Sequence, residues 1–191
     1  MPTSHVKIIE RFLERRKGPI EIPESGFPFV TISRQAGAGS HLLTDALLED
    51  FRTQKTDLFR GWHVFDKLIC EAIATDPALS RSMEDLVREH YKTEFQELVD
   101  TLIAGKSSGY LLQRKTFQVI TMLAAIGKVV IVGRAACCVT ERFKSGVHIR
   151  LVAPDDQRIA ATMKDLKVDR DEACRIMKIK DRERRRLMKN F

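Results

Sequence analysis

The chain has 191 residues, 43% of them hydrophobic and 31% charged, which is typical of a globular domain and excludes a wholly disordered chain. Its net charge is +7, and residues 141–191 carry most of that excess, with 15 basic and 9 acidic side chains. No apolar run approaches the ~20 residues that span a bilayer, and the cysteines lack the CxxC spacing of zinc sites. We therefore expect a soluble, cytoplasmic protein with free thiols and no bound metal. Its basic region should face either an anionic partner or solvent.

The N-terminal segment predicts a short amphipathic helix on a tether. Ile8, Ile9, Phe12 and Leu13 recur at helical spacing within residues 5–17, and two glycines and two prolines punctuate residues 18–26. This helix could pack on the domain or on another subunit, so a homo-oligomer stays an open alternative. The sequence thus divides into a segment of residues 1–26 and a domain of residues 27–191.

A strand, a glycine turn and a helix follow one another at the start of the domain. Residues 27–33, FPFVTIS, predict a buried strand, the turn RQAGAGSH follows at once, and apolar residues at helical spacing then predict a helix. Backbone N–H groups in such a turn can bind phosphate, although a tight connection without a ligand remains the alternative. The pattern GxxxxGK[ST] would place its Lys at Ser40 and its Ser or Thr at His41, so the usual phosphate-binding cation is missing.

The remaining elements alternate in type along the chain. Short apolar runs predict strands at 62–65, ending before Asp66, at 128–133, ending before Arg134, and at 148–153. Longer amphipathic stretches predict helices at 67–74, 77–104 and 111–126, with a break at 105–109, then a helix that contains Arg158 and two basic helical segments within 169–191.

This alternation predicts a three-layer α/β fold, with a mostly parallel sheet flanked by helices. The strand at 29–33 is expected at its centre, flanked by the strand at 129–132 and the strand around Val64. Ligands of such sheets bind beyond the carboxyl ends of the strands, so the glycine turn, Asp66, Arg134 and Arg158 should converge there. The tail from residue 169 has little apolar content, so we expect it to be mobile and to close over an anionic ligand.

Five segments, taken together, resemble the cytidylate kinase-like family. VTISRQAGAGSHLLTDALL is similar to the opening of that family, where an ISRQ or ISRE strand end runs into a glycine-rich loop without the usual Lys. HVFDKLICEAIA resembles the family's second strand and following helix, and GKVVIVGRAA resembles its VIVGR strand. HIRLVAPDDQRIA resembles the strand before the lid, and KIKDRERRRLMKNF the segment that closes the lid. The resemblance covers residues 27–191 in the right order.

The resemblance implies a P-loop-type kinase that transfers the γ-phosphate of ATP, with Mg²⁺, to a nucleoside monophosphate such as CMP or a similar small acceptor. It implies an acceptor-side helical region at about 67–126 and a basic helical lid at about 155–191. The implied site residues fall into three groups. Donor phosphates would be bound by Gly37, Ala38, Gly39, Ser40 and His41, the acceptor by Arg34, Asp66 and Arg134, and the transferring group by cations at Arg134, Arg158, Lys178, Arg182 and Arg185.

Other interpretations of these residues stay open. Asp66 could only cap a helix, Arg134 could be a structural ion-pair partner, and His41 could face solvent. Because the Lys is absent, the protein could be a catalytically weak nucleotide-binding or sensor module with a degenerate P-loop. Nucleic acid is the least favoured partner, since no binding motif is present and aromatic residues are few.

Overall fold

The computed structural model describes residues 4–15, 26–86 and 108–189. In the described residues, four parallel strands form one sheet in the order β2-β3-β1-β4. The strands are β1 (Phe29–Arg34), β2 (His63–Phe65), β3 (Val129–Val132) and β4 (Gly146–Leu151). The helices are α1 (Ser4–Glu14), α2 (Ser40–Thr53), α3 (Lys67–Thr75), α4 (Pro77–Leu86), α5 (Ser108–Ile126), α6 (Ala136–Val139), α7 (Asp155–Leu166) and α8 (Arg170–Met188).

Alternating side chains of the strands face two apolar layers, because successive strand residues point to opposite faces of a sheet. Val129 and Ile131 of β3 pack into the larger cluster, which is built with α1, α3 and α5. Val130 and Val132 pack with side chains of α2 on the other face. The three-layer α/β fold with a parallel sheet is therefore confirmed.

Helix α1 packs on its own domain. Ile9 and Phe12 are fully buried, and the Phe12 ring meets that of Phe65 edge to face with centroids 5.0 Å apart. Burying one such side chain stabilises the fold by about 1.5–3 kcal/mol. The helix thus covers the edge of the sheet at β2. The sequence left open whether this helix packs on its own domain or on another subunit, and the structure shows it on its own domain.

Two predictions about the arrangement of the elements are wrong. β2 was predicted beside β1, but it pairs with β3 (Val64 opposite Val130), and the second neighbour of β1 is β4. An apolar pattern identifies a strand without specifying its partner, which the crossover connections determine. The tail forms one helix, α8, because no glycine or proline interrupts its hydrogen bonds.

Three further expectations can be compared with the residues that the structure describes. The predicted helix at 77–104 is observed as α4 up to Leu86, and its remainder lies outside the described residues. The predicted break at 105–109 does not extend to Gly109, because α5 begins at Ser108 and a glycine costs little in a first turn. None of the helices in the described ranges combines the length and apolarity that crossing a membrane requires.

Candidate active site

A cleft open to solvent lies at the carboxyl edge of the sheet, where the ends of β1 and β3 meet helix α8. Four arginines line it: Arg34 of β1, Arg134 of the turn after β3, Arg150 of β4 and Arg184 of α8. A second hollow lies beyond Arg134, lined by Glu71 of α3, residues of α5 and Leu187. The concentration of guanidinium groups makes the cleft suited to a polyanionic ligand, since their planar fork matches phosphate oxygens.

The glycine turn connects β1 to α2 beside this cleft. Ala36 and Ala38 donate their amides within the protein, to the Asp181 carboxylate at 2.7 Å and to the carbonyl of Gln35 at 3.3 Å. Gly39 is the N-cap of α2 with φ +73°, and no side chain caps the helix. The first-turn amides of α2, including those of Ser40 and His41, therefore point out of the helix without a capping group, as an anion site requires.

The two glycines of the turn are required for different reasons. At Gly37, with φ +73°, a Cβ atom would overlap the carbonyl of Arg158 and lie 2.8 Å from Oγ1 of Thr162 on α7. At Gly39 the same atom would meet only the Leu42 side chain, at 3.6 Å. Gly37 is thus needed for packing against α7, and the open approach expected of both glycines exists only at Gly39.

Arg158 was predicted to be a cation of the lid, and the structure places it in a buried contact between α7, α8 and the turn. Its side chain is 6% exposed and its guanidinium donates to the Ala36 carbonyl at 2.8 Å and to Asp155 at 2.8 Å. It also forms an ion pair with Asp181 of α8. With these three acceptors, the guanidinium faces the turn and helix α8, and Arg158 is not among the residues that line the cleft.

Arg34 ends β1 and enters the cleft beside Gly133. A Cβ atom at Gly133, whose φ is +83°, would overlap the Arg34 guanidinium, so a glycine there lets the arginine lie flat on the backbone. The pKa of Arg34 is lowered to about 10, mainly by burial and also by the charge of Arg184, while Asp66 opposes both. A partly desolvated cation beside another cation is stabilised by a bound anion.

Arg134 follows β3 in an unusual backbone conformation. Gly133, Arg134 and Ala135 all have positive φ, and two of them are not glycine, a strain that clusters at functional sites. The Arg134 guanidinium forms an ion pair with Glu71, while its buried Nε has no partner among the described residues. Burial lowers the pKa of Arg134, with Cys70 opposing. The ion pair that the sequence left open exists, and Arg134 lines both the cleft and the hollow that contains Glu71.

Asp66 and His41 adopt the local roles that the sequence left open for them. The Asp66 carboxylate caps α3 by accepting from the amide of Ile69 at 3.0 Å. His41 is exposed in the first turn of α2. Neither role excludes contact with a ligand, because both residues still lie at the carboxyl edge of the sheet.

Helix α8 is fixed by a narrow face that sequence reasoning missed. Ala173 and Met177 are buried against α7, Asp181 continues the same face onto the glycine turn, and Arg184 continues it into the cleft. The expectation that burial cannot hold this basic segment without an anion is therefore wrong. Arg182, Arg185 and Lys178 are exposed on other faces. Steps of four and then three residues along the helix lead from Met177 to Asp181 and Arg184, so helical spacing would have identified Arg184 instead.

A protein-family model described as the cytidylate kinase-like family matches residues 29–191. Among solved structures, an uncharacterized protein from Eubacterium ventriosum is similar, with a TM-score of 0.59 and 19% identity over 86% of this chain and 77% of that one. At that identity the likeness concerns the fold alone. No curated protein matches the sequence.

Proposed function

Because the chain belongs to the cytidylate kinase-like family, we propose that its cleft transfers the γ-phosphate of ATP to a nucleoside monophosphate, such as CMP, or to a similar small acceptor. The observation that carries the proposal is the convergence of four arginines beside an uncapped helix N-terminus. Phosphoryl transfer is catalysed mainly by positioning and by stabilising the charge of the transferring group.

The donor phosphates would bind at the start of α2. The amides of Ala36 and Ala38 are already hydrogen-bonded, so the amides of Gly39, Ser40 and His41 are the groups we assign to the phosphates. The helix dipole adds a partial positive charge at the same point, which favours an anion by about 0.3–1 kcal/mol. Gly37 and Ala38 would then shape the turn rather than contact the ligand.

The transferring phosphate and the acceptor would lie between Arg34, Arg134 and Arg184. These three guanidinium groups line one cleft, and Arg34 supplies positive charge in a turn that lacks the usual Lys. Glu71 orients Arg134, and Asp66 balances the charge of Arg34. The acceptor-side region at about 67–126 and the lid at about 155–191 are proposed on the same basis. Arg182 and Arg185 are exposed on α8, and their predicted contact with the transferring group would require the lid to move.

The residues present fit Mg²⁺ that arrives with the nucleotide. The part of the chain that the structure describes holds no group of three His, Cys, Asp or Glu that could form a metal cage. Mg²⁺ commonly takes its ligands from phosphates and water, with one or two from protein, and Ser40 offers a hydroxyl at the phosphate end of α2. When bound, the ion would neutralise phosphate charge.

A nucleotide-binding or sensor protein without efficient turnover is the second candidate. The missing Lys favours it, as does the Asp181 carboxylate on the Ala36 amide, which removes one donor from the turn. Loss of one stabilising contact in such a site commonly slows catalysis by ~10²–10³. In either case the partner is a small nucleotide, and a cytoplasmic location fits that substrate.

An ADP-release assay across the nucleoside monophosphates tests the proposal, after calorimetry with ATP, ADP and CMP. We expect ATP binding and ADP release that depends on one of the monophosphates, and both should weaken in Arg134→Ala. Arg175→Ala, an exposed arginine on α8 that does not line the cleft, is the matched control and should behave as the wild type. Binding of ATP without acceptor-dependent release would favour the sensor, and failure to bind any nucleotide would contradict both.

A further inference from the structure

One carboxylate connects the glycine turn to helix α8. Oδ1 of Asp181 accepts from the amide of Ala36 at 2.7 Å, and its other oxygen pairs with Arg158, whose Nε donates to the carbonyl of Ala36 at 2.8 Å. Both backbone groups of Ala36 are therefore held by the side chains of this ion pair. Charge-assisted hydrogen bonds of this kind are stronger than neutral ones.

The contact lies in the interior of the protein. The side chain of Arg158 is 6% exposed and that of Asp181 is 16% exposed. Removing one partner of a buried pair leaves an uncompensated charge, which makes the arrangement of the other groups sensitive to its loss. Asp181 is thus distinct from the many surface charges of α8.

Arg184 lies on the same face of α8 as Asp181, because residues three apart in a helix are neighbours. Its Nη1 is 3.5 Å from Oδ1 of Asp181 and 3.4 Å from the carbonyl of Arg34, and its side chain lines the cleft. Burial lowers the pKa of Arg184, and Asp181 opposes that shift. Asp181 therefore lies between the turn and the cleft arginine and contacts both.

We propose that Asp181 is a positioning residue, which fixes α8 on the glycine turn and thereby aims Arg184 at ligand phosphates in the cleft. This inference rests on the proposed function, since it assigns Arg184 to that ligand. Ala173 and Met177 pack α8 against α7 independently of Asp181. We therefore expect a change at Asp181 to loosen the contact of α8 with the turn and to alter the direction of Arg184 without releasing the helix from α7.

A double-mutant cycle with Asp181→Asn and Arg184→Ala tests this role in the ADP-release assay. Asn keeps the volume and an oxygen for the Ala36 amide but removes the charge that faces Arg184. We expect Arg184→Ala to lower kcat/KM at least about tenfold in the wild type and less than about threefold in the Asp181→Asn background, as coupled residues do. Asp165→Asn, an exposed site on α7, is the control. Effects that multiply independently would overturn the inference.

Two NMR signals decide the inference without any ligand. Hydrogen exchange of the Ala36 amide should become faster in Asp181→Asn, because a neutral amide oxygen accepts more weakly than a carboxylate, and the Arg184 Nε–Hε signal should move. Neither signal should change in Asp165→Asn. Unchanged signals overturn the inference even in an active kinase, whereas changed signals in a protein without ADP release contradict the proposed function alone. If Asp181→Asn does not fold, Asp181→Glu, which keeps the charge and moves the carboxylate, replaces it.

Discussion

The glycine turn and the arginine cleft are two halves of one proposed site, and they are built in opposite ways. The turn is local: residues 35–40 follow each other between β1 and α2, and their backbone supplies the donors. The cleft is assembled from side chains that are far apart in the chain, from Arg34 to Arg184, and depends on the fold to bring them together. A site of the first kind can be read from sequence, and one of the second kind requires the strand order and the helix faces.

The largest expected effect is that of Arg134→Ala, which removes a cleft cation without touching the turn. We expect ADP release to fall by ~10²–10³, as for loss of one group that stabilises transition-state charge. Arg134→Lys should recover only a small part, because an ammonium group lacks the planar fork. The assay is kcat/KM for ADP release, with circular dichroism to confirm the fold. A rate equal to that of the wild type would show that the chemistry lies outside the cleft.

The two glycines separate the packing role of the turn from its binding role. Gly37→Ala should lower the free energy of unfolding by about 2–4 kcal/mol, because the new Cβ collides with the Arg158 carbonyl at a positive φ. Gly39→Ala has open space and should cost about 1–2 kcal/mol through φ alone, while weakening ATP binding. Urea unfolding and calorimetry on both variants measure the difference. Equal losses of stability would refute the assignment of Gly37 to packing.

Sequence reasoning identified the fold class and the turn because both are written in local patterns. The alternation of short apolar runs with longer amphipathic stretches predicted the parallel sheet, and the GAG turn after a buried strand predicted where α2 begins. Arg134 was found because it directly follows a predicted strand. Sequence reasoning did not identify the neighbour of β2, the packing of Gly37 on α7 or the cleft residue Arg184. Each of these depends on contacts between segments that are distant in the chain.

The pH dependence of stability tests whether the hydrophobic core around Cys70 of α3 excludes water. The pKa of the Cys70 thiol is raised from 9.0 to about 12, mainly by burial and also by the nearby Asp66 carboxylate, while Arg134 opposes the shift. The folded protein thus retains a proton that the unfolded chain releases, so this contribution to stability is complete below pH 9 and is lost as pH rises towards 12. Arg34, with its pKa lowered to about 10, acts in the opposite direction above that pH.

Between pH 9 and pH 10 the free energy of unfolding should therefore fall, by up to about 1.4 kcal/mol per pH unit for one thiol. Burial also raises the pKa of Cys138, to about 11, so Cys70→Ala should reduce the slope without abolishing it. Urea unfolding at several pH values in this window provides the comparison. The same slope in wild type and Cys70→Ala would mean that water reaches the thiol.

Ser40→Lys has the smallest expected effect. This substitution tests whether arginines of the cleft already supply the positive charge of the missing Lys. If Arg34 and Arg184 supply the charge, the added Lys should raise kcat/KM for ADP release by less than about fivefold, the equivalent of about 1 kcal/mol for an exposed charge pair. Ser40→Ala controls for loss of the hydroxyl. A much larger gain would show that the arginines do not compensate for the Lys.

The most direct test of the account is an NMR titration of the backbone amides with ATP and Mg²⁺. We expect large shifts of the Gly39, Ser40 and His41 amides, whose positions at the uncapped start of α2 are open to phosphate oxygens. The amides of Ala36 and Ala38, which are bonded within the protein, should shift much less. Shifts confined to residues away from both the turn and the cleft would contradict the account.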